Sequence, residues 1–308
     1  MSTIPLFPEF KNIEPSDREE VLKITSQFPP YSDFDFTSLW TWNTSKGRQL
    51  SMLNNNLVVK FTDYTTNEPF ISFLGINKTN ETVRTLLKYC ESVKLPTTLS
   101  LVPESSVIDL DDSEFNIFED RGNNDYIYSV ADHTVFEGSD YHPKRRRVNK
   151  FARENPLARV ITENLNGNKD IQSDIFAVIS AWEKNKVREA KEYELEHELS
   201  AINCLFTESE LSNVVATCVY ADALMIAFSI DETFPDSEYV VSHFAKYDSL
   251  YPGVYEFLVQ NRAKYFVNLG KKFINCEQDL DIAGLRQSKE SYLPCKYLKK
   301  FKVSAVRN

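Results

Sequence analysis

Glycine is scarce in this 308-residue chain, with only 8 residues. The phosphate-cradling turns of Gly-rich nucleotide folds need backbone at positive φ, so the shortage argues against a fold of that kind. No apolar run approaches the ~18 residues of a bilayer-spanning helix, so no transmembrane segment is expected. The first ten residues lack the basic start and apolar stretch of a secretory leader. The five cysteines (Cys90, Cys204, Cys218, Cys276 and Cys295) are an odd number at wide spacings, with no CxxC pair and no zinc-finger histidine spacing. They read as reduced thiols of a cytoplasmic protein, and no metal site is expected. Positive charge is also in deficit, 35 Lys and Arg against 45 Asp and Glu, for a net charge of −10. Such a chain does not coat nucleic acid or anionic membrane over its whole surface, so a polyanion partner needs a local basic patch.

Aromatic residues are plentiful, 21 Phe and 15 Tyr, within a hydrophobic fraction of 42%. That content suits a soluble globular protein, and the length predicts two domains of roughly 150 residues. The expected order in the first part is a helix from 15 to 24, a β-prone aromatic stretch at 38–42, and strands at 57–61 and 69–74. A helix at 82–90 and strands at 98–102 and 126–130 follow, with an acidic segment at 104–125. A second series runs as a basic helix at 144–153, a strand at 158–162, and helices in two or more pieces over 171–206. It continues with a hairpin at 213–230, a strand at 239–247, a helix at 255–266, a strand at 273–276 and a last strand at 297–306. Both series are of the α/β (α+β) class, with domains expected at 1–135 and 136–308.

Three constellations carry chemistry. Six cations crowd residues 144–153, among them Lys144, Arg145 and Arg146, with Asn149 between. Like charges three and four residues apart repel, so the helix calls for a phosphate-bearing partner or for acidic side chains such as those at 104–125. The segment from Lys246 to Gly253 and Tyr255 joins a strand to a helix start, where unpaired N–H groups favour an anion. His243 on that strand is equally a packed histidine or a base. The third runs from Asn275 through Glu277 and Asp279 to Arg286, Lys289, Ser291 and Tyr292. Carboxylates facing cations and hydroxyls can hold an amine nucleophile, take its proton and stabilise an oxyanion.

The pattern Asn275-x-Glu277-x-Asp279, then Gly284-Leu285-Arg286-x-x-Lys289-x-Ser291-Tyr292-x-Pro294, closely resembles the signature of the phosphatidylglycerol lysyltransferase C-terminal domain-like family. Lys144-Arg145 with Asn149 and Phe151, Phe7-Pro8, the aromatic stretch from Asp33 to Trp42, and Lys246 through Gly253-x-Tyr255 sit in family order. Where the family carries Glu-Lys before the phosphate loop, this chain has Ala245-Lys246.

The resemblance implies two tandem GNAT-like domains with mixed sheets and an active site in the second. It implies transfer of an aminoacyl group from aminoacyl-tRNA, or of an acyl group from acyl-CoA, to a lipid or small-molecule amine or hydroxyl, with no tightly bound cofactor. The alternative is a degenerate ligand-binding or regulatory protein. In such a fold two central strands part and the donor lies between them, here 239–247 and 273–276. Glu277 or Asp279 would position or deprotonate the acceptor, while Arg286, Lys289 and Tyr292 complete the catalytic set. Lys144, Arg145, Arg146, Asn149, Lys246, Gly253, Tyr255, Asn275 and Ser291 would contact the donor, either the tRNA acceptor end or CoA.

Overall fold

Asp35 decides the first departure from the expected elements. Its carboxylate accepts the Ser38 N–H at 3.0 Å and caps a helix over Phe36–Thr41, so the β-prone aromatic stretch is helical. The structure is a computed structural model and describes residues 3–43, 47–63, 68–165, 168–185, 192–207 and 213–306. The polar turn at 64–67 and residues 186–191 of the charged helical stretch lie outside the described residues. The chain forms two compact units. Unit 1 comprises Met1–Asp125, Gln278–Arg286 and Tyr297–Asn308, and unit 2 comprises Tyr126–Glu277 and Gln287–Lys296.

In unit 1 the helices are α1 (Arg18–Thr25), α2 (Phe36–Thr41), α3 (Thr79–Ser92) and α4 (Glu104–Val107). Strands β1 (Lys11–Asn12), β2 (Gln49–Leu53), β3 (Asn56–Thr62) and β4 (Pro69–Leu74) form an antiparallel sheet in that order. Val83, Leu86, Leu87 and Cys90 recur at helical spacing on α3 and pack with Val58 and Phe73 of this sheet. β5 (Thr98–Pro103) and β6 (Phe115–Glu119) flank the C-terminal strand Lys300–Ala305. This strand belongs to unit 1 although it lies at the far end of the chain from most of that unit. Its backbone is paired on both edges, to β5 and to β6, and so returns the end of the chain to unit 1. The buried Lys300 reinforces the return, bonding Asp125 at 2.6 Å and Ser32 at 3.1 Å and meeting Asp33.

Unit 2 is built on a seven-stranded mixed sheet. Its strands are β7 (Asp125–Ser129), β8 (Arg159–Asn164), β9 (Val214–Ala221), β10 (Leu224–Thr233), β11 (Tyr239–Tyr247), β12 (Phe273–Asn275) and β13 (Lys296–Leu298). Their order is β13-β7-β12-β11-β10-β9-β8, with β11 and β12 parallel to each other. The helices are α5 (Val130–Val135), α6 (His142–Glu154), α7 (Lys169–Asn185), α8 (Glu192–Thr207) and α9 (Val254–Asn268); α10 (Ala283–Glu290) begins in unit 1 and ends in unit 2. On one face α9 buries Ala263 and Phe266 against Val240 and Ile274, while Phe151 of α6 joins Val254, Leu258 and Ile226. α9 is the crossover that a parallel β11–β12 pair requires.

Candidate functional site

β11 and β12 stay paired for three residues only: Tyr239 with Phe273, Val240 with Ile274 and Val241 with Asn275. Beyond that level β11 continues to Tyr247, whereas the other chain turns away. The Cys276 N–H donates to the Tyr126 carbonyl at 2.9 Å, and Glu277 takes a left-handed φ of 58°. The buried Asn275 side chain accepts the Glu277 N–H at 2.8 Å and fixes the turn. The two strands therefore fork. At the same level β11 bulges: Phe244 lies opposite Ile230 and Ser242 opposite Asp231, leaving His243 as the extra residue.

Asp231 and Glu232 are neighbours on β10 and so point to opposite faces of the sheet. On the α9 face, the buried Arg262 bonds Asp231 at 3.1 Å and Ser242 at 2.6 Å, and its Nη2 lies 3.6 Å from the Cys276 sulfur. One guanidinium thus touches both arms of the fork, and its Nε is buried without a hydrogen-bond partner among the described residues. On the other face, His243 Nε2 stands 3.3 Å from Glu232 and Nδ1 3.5 Å from Glu277. Glu232 and His243 are sealed in, whereas the Glu277 side chain keeps 20% of its exposure. A neutral imidazole has one N–H for two flanking carboxylates.

The expected site residues fall into separate groups. In unit 1, Asp279 is fully buried, gripped by Arg286 at 2.8 and 2.9 Å and by Arg121 at 3.1 Å, and it also accepts the Asp281 N–H. With both oxygens engaged, it anchors a turn. In unit 2, Lys289 donates to the Cys276 carbonyl. Lys144 points inward from α6, bonds Ser291 at 2.8 Å and sits 3.5 Å above the Tyr292 ring. Burial, opposed by Glu256, drops its ammonium to about 8. Tyr292 is buried, its hydroxyl has no partner among the described residues, and burial pushes its pKa well above the usual range. Its ring meets Tyr255, which lies tilted against Tyr247 and is pushed by burial to about 12.

The rest of the basic helix disperses. Arg145 caps α5 through the Phe136 and Gly138 carbonyls, while Arg146 and Asn149 face outward. The helix finds its counter-charges in Glu256, 2.8 Å from Arg147, and in Glu154. The acidic segment pairs instead through Glu114 with Arg84, Glu119 with Lys299 and Asp120 with Lys302. Lys246 meets Glu198 of α8 at 2.6 Å, a carboxylate that the Ala245-Lys246 pair itself lacks. Gly253 caps α9 at φ 91°, and its missing Cβ would lie 2.4 Å from the Arg147 carbonyl. Asp231, Glu232 and Arg262 were not expected as site residues. Their signal was two acids ending an apolar strand, and an arginine four residues from both Leu258 and Phe266 on the packed face of α9.

Among solved structures, a conserved protein of unknown function from Bacteroides thetaiotaomicron superposes with a TM-score of 0.82 at 22% identity, covering 97% of this chain and 99% of that one. The C-terminal domain of a putative lysylphosphatidylglycerol synthetase from Agrobacterium fabrum gives 0.64 at 12% identity, over 95% of this chain and 92% of that one. The L-PGS structure from Bacillus licheniformis gives 0.63 at 12%, over 96% and 92%. No curated protein matches the chain by sequence. The α/β fold with mixed sheets is the one these solved structures share. No helix among the described residues is long and apolar enough to cross a membrane. The family described as phosphatidylglycerol lysyltransferase, C-terminal, matches residues 25–304, and the chain belongs to it.

Proposed function

We propose that this protein is a transferase that moves an aminoacyl or acyl group onto an amine or hydroxyl acceptor at the β11/β12 fork. The observation that carries the reading is the Glu277–His243–Glu232 row at the point where the strands part. Past Val241 the pairing of β11 with β12 ends among the described residues, and an extended donor would add at that fork through main-chain hydrogen bonds. The acceptor attacks the donor carbonyl, the bond to the leaving oxygen or sulfur breaks, and the acceptor proton passes to Glu277. His243 and Glu232 orient that carboxylate and share the charge. No covalent enzyme intermediate and no resident cofactor are needed.

The geometry at α9 favours aminoacyl-tRNA over acyl-CoA as donor. The first turn of α9 already holds the buried Glu256 carboxylate, and the α6 backbone lies against Gly253. A pyrophosphate would have to displace both to reach the helix N-terminus. Lys144 with Ser291 and the Tyr292 hydroxyl, which has no partner among the described residues, is the better group to receive leaving-group charge, since Arg286 and Lys289 are held by a carboxylate and a backbone carbonyl. The family name supports lysyl transfer to a lipid headgroup as the first acceptor class to try.

The same spent state of Asp279, Arg286 and Lys289 favours a second reading, a ligand-binding protein without turnover. The two separate when the protein is incubated with aminoacyl-tRNAs or acyl-CoAs, a lipid extract and small amines, and the products are followed by mass spectrometry. Transfer predicts a product whose rate falls about 10²–10⁴-fold in Glu277→Gln. If no donor yields product while a ligand still binds, the transferase reading is wrong.

A further inference from the structure

The chemistry at the fork leaves the outer face of α6 unused. Arg146, Lys150 and Arg153 recur there at i, i+4 and i+7, all exposed, on the side opposite the buried Lys144, Val148 and Phe151. The helix ends beside three of the most exposed apolar side chains in the protein: Leu157 at 83%, Leu250 at 72% and Leu224 at 65%. Strand pairing places these leucines at one end of the unit 2 sheet. β8 enters there with Arg159 opposite Tyr220, and the β9–β10 turn closes with Ala221 opposite Leu224. β11 leaves where the Asp248 N–H donates to the Ile226 carbonyl. Phe151, Ala221 and Ile226 share one core cluster, with Ala158 and Tyr251 packed on it. The exposed leucines therefore protrude at the end of the sheet where this cluster lies.

We propose that this end of unit 2 docks on an anionic lipid bilayer, with the α6 cations on phosphate headgroups and the three leucines at the acyl boundary. Cations laid beside protruding aliphatic side chains match a surface whose phosphates overlie hydrocarbon. A nucleic acid would satisfy the cations and leave the leucines in water, because its apolar surfaces are base faces that stack on aromatic rings. The carboxylates of the same loops are Glu154, Asp222 and Asp248. Glu154 faces Lys150 at 3.9 Å, and Asp248 accepts the Leu250 N–H. The docking is independent of the transfer chemistry and survives its failure.

The test is flotation of the full chain with vesicles of phosphatidylcholine alone and of phosphatidylcholine mixed with phosphatidylglycerol. The wild type is expected to float with the anionic vesicles. The triple variants Arg146→Gln/Lys150→Gln/Arg153→Gln and Leu157→Ser/Leu224→Ser/Leu250→Ser each lower the bound fraction about tenfold. All six side chains are exposed, so both variants keep the wild-type unfolding transition. In Leu250→Trp, the added indole emission shifts to the blue on anionic vesicles. The proposal is overturned if the wild type does not float, or if the leucine variant floats as the wild type does. It is equally overturned if the cation variant loses binding to total tRNA while vesicles never bind.

Discussion

Arg286 holds Asp279 as a fork holds a carboxylate, Nε to Oδ2 at 2.8 Å and Nη2 to Oδ1 at 2.9 Å. Asp279 is fully buried, and Arg121 adds a third bond. Replacing it by Asn keeps the shape but removes the charge that both guanidinium groups face. Because each arginine is about a third exposed, water offsets part of the loss. Asp279→Asn is expected to cost about 1–3 kcal/mol in urea unfolding. Arg286→Lys, which loses the bidentate geometry, should weaken the turn in the same direction. A variant as stable as the wild type would show that the pair does not anchor the turn.

Arg262 makes a different prediction because it and its partner Asp231 are both buried. Arg262→Met leaves Asp231 fully buried without its cation, and the expected loss is about 3–5 kcal/mol. The double variant Arg262→Met/Asp231→Leu removes both charges and should recover much of that loss, as measured by denaturant titration. A second consequence is local. Arg262 touches Ser242 on β11 and Cys276 beyond β12, so its loss frees the fork and speeds reaction of Cys276 with a thiol reagent. An unchanged thiol rate in the single variant would mean that the fork holds without the guanidinium.

The elements that chain periodicity sets were legible, and the contacts that distant segments set were not. β11 runs over Tyr239–Tyr247 as its alternation predicts, and α3 follows from Val83, Leu86, Leu87 and Cys90. The aromatic stretch near Trp40 misled because one capping aspartate outweighs β propensity summed over five residues. The return of Lys300–Ala305 to unit 1 has no local signature, since a strand paired on both edges reads the same wherever its partners lie. The site divided along the same line. Residues 275–292 form a dense polar run, but proximity in sequence did not become convergence in space. Asp279 and Arg286 anchor unit 1, while Glu277 meets His243, whose other ring nitrogen meets Glu232. What identifies Glu232 afterwards is the bulge at His243, a register event between strands that no single strand encodes.

Gly253 and Gly270 both take left-handed backbone, φ 91° and 73°, and together form an internal control. An alanine at Gly270 would meet nothing within 4 Å, so Gly270→Ala pays only the conformational penalty of about 1–2 kcal/mol. At Gly253 the same change adds a Cβ 2.4 Å from the Arg147 carbonyl, a backbone atom that yields only if α6 moves. Gly253→Ala is therefore expected to lower the unfolding midpoint by clearly more than Gly270→Ala. Equal shifts would show that α6 gives way freely and that the start of α9 is more open than its packing indicates.

His133 supplies a pH dependence with a definite sign. Its ring is buried among Tyr128, Phe136, Tyr141 and Tyr292, with Nε2 3.1 Å from the Tyr292 carbonyl and Nδ1 unpartnered among the described residues. Burial, with Arg262 and Lys144 adding repulsion, holds its pKa down to about 4 from 6.5. Between those values the unfolded chain binds the proton and the folded chain does not. The folded state is therefore favoured increasingly as pH rises through that window, and the stabilisation is complete above it. It is lost as pH falls from 6.5 toward 4, by up to about 3 kcal/mol. His133→Gln fits a similar volume without titrating, so its unfolding free energy should flatten over this interval relative to the wild type. Parallel urea titrations at the two ends of the window measure the difference. If both proteins lose stability equally on acidification, His133 is not the group that senses the proton.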